Sequence, residues 1–546
     1  MWIVVFWRLG YLSLLDPDEA HYAELTREML RARSWLVPLL NDAPYIDKPV
    51  LFHWLQALSV SVFGQSELAM RLPSAFAALA LIATTRWAGA QLFGAAVGEG
   101  AALMFATLPL TFALANVGVF DMVYGAFLFG GVSCLLVSAL RGREHLQYLG
   151  YALLTVAVMT KGPVALLLVI LFIMAAMCAG PRIRKVIGSL HWTGGLAFVL
   201  IAASPWFVWM WATFGDRFVS EYWLAGNLWY FTQPVVFSPR RSSYALYLRV
   251  FVTAFFPWCL VIIGAAFDAA RRWRDGTQAA PERVLLWLWI LVVVIFFTVA
   301  RFKVDYYIFP AAPACCMLAA DAWKRAVEDR SWRWTRASVA VIAATLIAGG
   351  LISSVALFQI NLGLDYDALA LPVALAVGGG LLMWELARRQ WMPPPTLTTP
   401  LVTLLVVYSL TVVIGFPVLE RSRPTAPVGR WIARHTRRGA VVGAYHLEDW
   451  RASIRYYADR RVTRLQEQDE VRAFLESSQT AYVLMLREDF AALRESGLEI
   501  EEVLRRPAIV GRSGKYLRRQ VWGDLMIVTR NDNPEAWAST LFDTER

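Results

Sequence analysis

DPDEAHYAELTREMLRARSWLVPLLNDAPYIDKP, Asp16 to Pro49, is the first long polar stretch in an otherwise apolar chain. It opens with Asp16, Asp18 and Glu19 and closes on Asp47-Lys48-Pro49. Between them, Glu19 to Arg33 reads as a helix, with Tyr22, Leu25 and Leu30 on one side and Glu24, Arg27, Glu28 and Arg31 elsewhere. Hydrophobic sequence resumes at Val50. A charged loop pinned between apolar runs is where chemistry is expected, and the rest of the chain decides which side of a membrane it faces.

Those apolar runs recur along the chain. Of 546 residues, 58% are hydrophobic and 17% charged, against about a quarter charged in soluble proteins. Runs near 20 residues long indicate a polytopic membrane protein. Thirteen candidate spans follow: 1–15, 72–92, 96–114, 122–140, 146–159, 163–179, 194–214, 246–267, 284–300, 307–320, 337–358, 368–386 and 401–418. The first is short for a crossing, and it lacks the basic start and cleavage site of a signal peptide. The 24 Trp and 19 Tyr suit interfacial belts. Cys134, Cys178, Cys259, Cys315 and Cys316 lie in apolar runs without metal-ligand spacing.

Every second loop is basic: Arg86; Arg141 and Arg143; Arg182, Arg184 and Lys185; Arg271, Arg272, Arg274 and Arg283; Lys324 to Arg336; Arg388 and Arg389. The positive-inside rule makes these loops cytoplasmic. The +10 net charge therefore does not call for nucleic acid. The opening loop then faces outward and, after an odd number of spans, so does everything past Val418. The expected organisation is a membrane domain at 1–418, with juxtamembrane helices at 16–68, and a soluble domain at 419–546. The latter alternates strand-like and helix-like pieces at 440–445, 452–457, 470–475, 481–486, 490–495 and 525–529, the pattern of a small α/β domain.

The outward loops carry cations on the disfavoured side. They hold Lys48, Arg71, Lys161, Arg217, Arg240, Arg241, Arg301 and Lys303, with Asp18, Glu19, Asp121 and Asp305 beside them. Ionisable groups at membrane depth face a cavity or a partner. Cations at headgroup level neutralise a lipid phosphate, and acids beside them bind a metal, orient a sugar or take a proton. The set points to transfer of a group from a phosphorylated lipid. Competing roles exist for single residues. Asp16 reads as a cap for the helix after Pro17, Lys48 as a snorkelling side chain, Asp47 as a partner for Lys48, and Arg240-Arg241 as a solvated pair. Glu19, His21 and Asp47 are a candidate metal set, with His53 a further candidate ligand.

Pro17-Asp18-Glu19-Ala20-His21-Tyr22-Ala23-Glu24 followed by Tyr45-Ile46-Asp47-Lys48-Pro49 resembles the bacterial lipid A aminoarabinose transferase family, ArnT, among the protein O-mannosyltransferase-like GT-C glycosyltransferases. The resemblance continues through Arg71-Leu72-Pro73-Ser74, Met159-Thr160-Lys161-Gly162-Pro163, Ser204-Pro205-Trp206, the link Lys303 to Pro310, and Ser453-Ile454-Arg455-Tyr456-Tyr457. It implies an all-α GT-C membrane domain with a soluble α/β periplasmic domain, in the bacterial inner membrane. It also implies a sugar donor on polyprenyl (undecaprenyl) phosphate and an acceptor such as lipid A, with no required cofactor and a divalent metal ion as an option. Carried over, Asp18 matches the first-loop catalytic acid, Lys48 the lysine on the donor phosphate, and Asp121 a second acid. Tyr306 or Tyr307, and Arg240 or Arg241, match the remaining phosphate contacts, with Lys303 beside them. Tyr22, Asp47, Arg71 and Lys161 complete the expected cavity. Asp47 stands where Glu is usual and His21 where Arg is common, and no histidine accompanies Arg240-Arg241, so the sugar and acceptor stay open.

The expected reaction is an inverting single displacement. Its rivals are transfer to a protein or glycan hydroxyl, a lipid-linked-sugar flippase built on the same charges, and a non-enzymatic lipid-binding scaffold.

Overall fold

The computed structural model describes residues 5–233, 243–359, 366–388, 394–447, 451–478, 480–509, 522–531 and 533. Arg240 and Arg241 lie outside the described residues. The chain is mostly helical, with a C-terminal sheet region. Among the described residues seven helices are long and apolar enough to cross a membrane, or up to nine if each of two sharply bent pairs is one span. Helices expected at 146–159 and 163–179 are present as His145–Lys161 and Val164–Cys178 but are shorter than that measure. The expected first span is not a crossing helix where it is described: residues 6–15 run as turns and irregular chain.

Burial sorts the spans. Helix Phe120–Arg141 has 78% of its apolar window inside the protein and Glu67–Phe93 has 61%, whereas Trp192–Phe214, Arg333–Leu357, Asp367–Arg388 and Thr398–Arg421 have 28% each. The first two form the centre, and the others present leucine and isoleucine outward, as at Leu200, Ile201, Leu351 and Ile352. One bend is explained by hydrogen bonding. Between Ala95–Ala106 and Pro109–Ala115 the chain turns by 66° at Thr107. There the Tyr408 hydroxyl donates to the Thr107 carbonyl at 2.7 Å and the Trp258 indole to its hydroxyl at 3.0 Å, satisfying groups freed by the broken helix.

The opening loop folds into three pieces. Helix Asp18–Ala32 has Asp18 and Glu19 in its first turn and Arg31 in its last, matching the helix dipole. It ends in a Schellman turn, with Arg33 left-handed (φ 54°) and the Ser34 amide on Met29 O. A hairpin, β1 (Leu39–Leu40) and β2 (Ala43–Pro44), turns through Asn41 and Asp42, both at positive φ. Their amides donate to the Glu28 carboxylate at 3.0 Å each, fixing the hairpin on the helix. Helix Leu51–Phe63 follows. Burial pulls His53 down to about 3, His21 adding to it. The neutral ring bonds Thr26 Oγ1 at 2.8 Å, and that hydroxyl donates to Gln56 at 2.7 Å.

The C-terminal sheet holds β3 (Val441–Tyr445), β4 (Val462–Leu465), β5 (Ala481–Leu486), β6 (Ile500–Ile509) and β7 (Trp522–Arg530), in the order β4-β3-β5-β7-β6. The first three are parallel and the last two antiparallel. Helices Thr425–His435 and Arg451–Ala458 cover one face, with Ile432 and Ile454 in one apolar cluster. Gln468–Glu476 and Arg487–Glu495 cover the other, with Val471, Leu475 and Leu493 in a second. All six residues of β5 are buried, as a strand covered on both faces requires.

Candidate functional site

Asp18 is the first residue of its helix, and its Oδ2 accepts the Tyr306 hydroxyl at 2.8 Å. Burial, then the Asp121 and Asp18 carboxylates, push the Tyr306 phenol far up, so it stays a donor. Tyr22, one turn on from Asp18, is likewise pushed well up by burial and then by Asp18. Its ring lies 5.0 Å from that of Phe120, beside Asp121.

The far end of the loop delivers Lys48. Its Nζ donates to Asp47 Oδ1 at 3.1 Å, Asp47 O at 3.2 Å and Gly226 O at 3.3 Å. Gly226 sits in a π-helical segment, Val219–Trp229, a wide turn often found at functional sites. A Cβ on Gly226 would stand 2.8 Å from Asp47 Oδ1, so glycine is what lets this turn approach the Asp47-Lys48 pair. A second cation, Lys161, donates to Asp121 Oδ1 at 2.5 Å and lies 4.3 Å from the Tyr307 ring centre. Asp121 Oδ2 is buried without a hydrogen-bond partner among the described residues. Gly162, at φ +92°, ends the helix directly behind Lys161, where a Cβ would collide with the Tyr222 hydroxyl.

Asp18, Tyr22, Tyr306, Lys48 and Lys161 share one cavity of about 840 Å³; Asp121, expected there as a second acid, is not among its lining residues and meets it only through Lys161. Asp18, His21, Tyr22, Tyr45, Asp47, Lys48, Lys161, Asn227, Tyr306 and Tyr307 line its polar part. Leu166, Leu167, Ile170, Trp223, Leu228, Phe231, Phe296 and Phe302 line an apolar part. Tyr45 and the aromatic wall were not expected from sequence. Tyr45 opens the Tyr-Ile-Asp-Lys-Pro box, a signal that was there to use. The wall comes from helices whose apolar residues all suit lipid or core equally.

Four further expectations are corrected. Glu19 and Arg71 do not line the cavity; they form a closed hub beside it. Arg71 Nε donates to Glu19 Oε1 at 2.6 Å and its NH2 to Oε2 at 2.8 Å, with further bonds to the carbonyls of Leu9, Leu12 and Ser13. Glu19 also accepts the amides of Leu15 and Gly118, both at 2.7 Å. Consequently the metal set of Glu19, Asp47 and His21 is not assembled: Glu19 is taken up by Arg71 and two amides, while Asp47 pairs with Lys48. Among the described residues no three His, Cys, Asp or Glu side chains are grouped to hold a metal ion. Asp16 does not cap its own helix. Its Oδ1 accepts the Ser453 amide at 2.9 Å and its Oδ2 the Ser453 hydroxyl. Lys303 is not among the lining residues; its Nζ donates to Ala300 O at 2.5 Å.

A family model described as dolichyl-phosphate-mannose-protein mannosyltransferase matches residues 47–209. The fold is similar to that of an oligosaccharyltransferase from Archaeoglobus fulgidus, with a TM-score of 0.50 at 12% identity over 90% of this chain and 68% of that one. The fold is of the GT-C type. ArnT from Cupriavidus metallidurans, solved bound to undecaprenyl phosphate, superposes with a TM-score of 0.72 at 21% identity over 96% of both chains. An undecaprenyl phosphate-alpha-4-amino-4-deoxy-L-arabinose arabinosyl transferase of Pectobacterium carotovorum is 29% identical over 370 residues, 63% of this chain and 64% of the relative. Its counterpart in Sodalis glossinidius is 27% identical over 70% of this chain and 65% of its own. The chain thus spans just under two thirds of the length of these relatives. In sequence and in fold it is ArnT-like.

Proposed function

We propose that this chain is an integral-membrane glycosyltransferase of thirteen spans that takes a sugar from a polyprenyl-phosphate donor at the outer, periplasmic face of the bacterial inner membrane. The reading is supported chiefly by one observation: a single cavity joins an acid–phenol pair and two lysines to an apolar wall. The wall takes the lipid tail and the polar part takes phosphate and sugar. Relatives carrying 4-amino-4-deoxy-L-arabinose make that sugar the first choice, with lipid A as first acceptor and a protein or glycan hydroxyl as second.

In the proposed step the acceptor oxygen bonds to the anomeric carbon while the bond from that carbon to the phosphate oxygen breaks, inverting the configuration. Negative charge grows on the departing lipid phosphate, and Lys48 and Lys161 stabilise it. Asp18 takes the proton of a hydroxyl acceptor; a phosphate acceptor needs no base, and Asp18 then orients it. Asp121 holds Lys161 in place. Glu19 and Arg71 hold the loop rather than react. The test is turnover of a labelled polyprenyl-phosphate aminopentose by the reconstituted protein with an envelope lipid extract or hydroxyl acceptors. No donor turnover with any acceptor, together with flipping of the lipid-linked sugar between leaflets, would sink the reading in favour of transport.

A further inference from the structure

We infer that the C-terminal domain is a positioning part of the site: helix Arg451–Ala458 holds the helix that carries Asp18, with Ser453 and Tyr457 as its positioning residues. The inference rests on the proposed role of Asp18. Asp18 shows one face to the cavity with His21 and Tyr22. Ala20, Ala23, Glu24, Arg27 and Arg31, at helical spacing, face the other way and meet the C-terminal domain.

The grip is tightest just before Asp18. Tyr457 accepts the Leu14 amide at 2.7 Å and donates to Glu67 at 3.0 Å, where Arg430 also donates at 2.6 Å. Arg423 donates to the carbonyls of Ser13 and Leu14 at 2.6 and 2.5 Å. Asp16, two residues from Asp18, receives both the amide and the hydroxyl of Ser453. Further along, Arg27 donates to Tyr456 O at 2.7 Å and Arg31 to Asp459 at 2.7 Å. Between these ends Ala20, Ala23, Met70, Ala426, Tyr456 and Tyr457 form one buried apolar cluster.

The topology says why this contact carries more than attachment. In the order β4-β3-β5 the connection out of β3 runs through helix Arg451–Ala458 on one face and the connection out of the neighbouring β5 through helix Arg487–Glu495 on the other, and open α/β sheets bind ligands outside the carboxyl ends of strands at such a point. Helix Arg451–Ala458 starts at the carboxyl end of β3, and its free amides are a ready anion site. The anion seated there is Asp16 of this same chain. The domain's ligand edge is thus spent on the segment that aims Asp18.

The test uses the full chain, reconstituted, with labelled polyprenyl-phosphate aminopentose and an envelope lipid extract. Ser453→Ala and Tyr457→Phe should each lower kcat roughly tenfold with donor KM changed less than about twofold, since displacing a reacting group by about 1 Å costs up to 10²-fold. Ser453→Thr, which keeps the hydroxyl, should recover most of the rate. In an Asp18→Asn background Ser453→Ala should add little, because it acts through Asp18. Asp16→Asn retains an acceptor oxygen and serves if Ser453→Ala fails to fold; it should show a smaller kcat loss of the same kind. Wild-type kcat in Ser453→Ala and Tyr457→Phe, or full additivity with Asp18→Asn, overturns the inference alone. Wild-type activity in Asp18→Asn overturns the proposed role of Asp18, and the inference with it.

Discussion

The Arg71 hub and the Lys48–Lys161 cavity each set a cation against acids, are joined through the neighbouring residues Glu19 and Asp18, and behave as opposites. In the hub the guanidinium meets one carboxylate and three carbonyls, and that carboxylate takes two further amides. At the cavity the charges keep spare capacity: Asp18 has one phenol on Oδ2, and Asp121, which is bonded to the lining Lys161, has its Oδ2 buried without a bond among the described residues. Adjacent acids therefore separate by saturation. A closed set of hydrogen bonds holds structure, because each bond is short and none is available to a substrate. An open set, in a space lined by lysine, tyrosine and aspartate beside a larger aromatic and aliphatic wall, is ready for one.

The sharpest way to break this contrast is to change each acid's region in turn. Asp18→Asn should cut turnover roughly 10²–10⁴-fold with a hydroxyl acceptor, and less with a phosphate acceptor, while leaving the thermal unfolding midpoint in place; a wild-type rate with either would erase the distinction. Arg71→Met should do the reverse, leaving Glu19 buried without its cation at a cost of about 3–5 kcal/mol. Loss of monodisperse protein on size-exclusion chromatography would show it, and wild-type stability would mean the hub is not structural. Lys48→Ala should lower kcat/KM for donor about 10²-fold, read by steady-state kinetics. Tyr306→Phe removes a hydrogen bond to a carboxylate and should cost about tenfold in kcat. The smallest effect concerns the rim. The Arg31 hydrogen bond holds the Asp459 carboxyl below its usual range. A depressed carboxyl contributes stability that is present above its unfolded value, near 3.9, and is lost as pH falls through the folded value. Wild type and Asp459→Asn should therefore differ in resistance to limited proteolysis at pH 7 and converge in acid, by a small margin at this half-exposed pair.

The membrane body, the opening loop and the α/β alternation of the tail were legible because each has a local signature: apolar length, a run of charge, and switching periodicity. The strands at 441–445 and 481–486 and the helices at 451–458, 468–476 and 487–495 fall within a few residues of where pattern alone put them. Asp18, Lys48, Lys161 and Tyr306 were legible as charged or phenolic groups out of place. What could not be read was allegiance. Asp16, Asp18 and Glu19 look alike in sequence, yet their partners lie at Ser453, Tyr306 and Arg71. The Gly226 carbonyl on Lys48 had no local signal either, since a glycine's usefulness there depends on a side chain 178 positions away.

That reach has a consequence for how the protein comes into being. The Leu14 amide finds its acceptor on Tyr457, 443 residues later. At about 5–20 residues per second a ribosome needs roughly 20–90 s to cover that interval. Throughout that time the segment bearing Asp18 is already made, while the part that braces it is still unwritten. Until the last domain is made, the charged loop lacks the bonds that Arg423, Ser453 and Tyr457 supply to it.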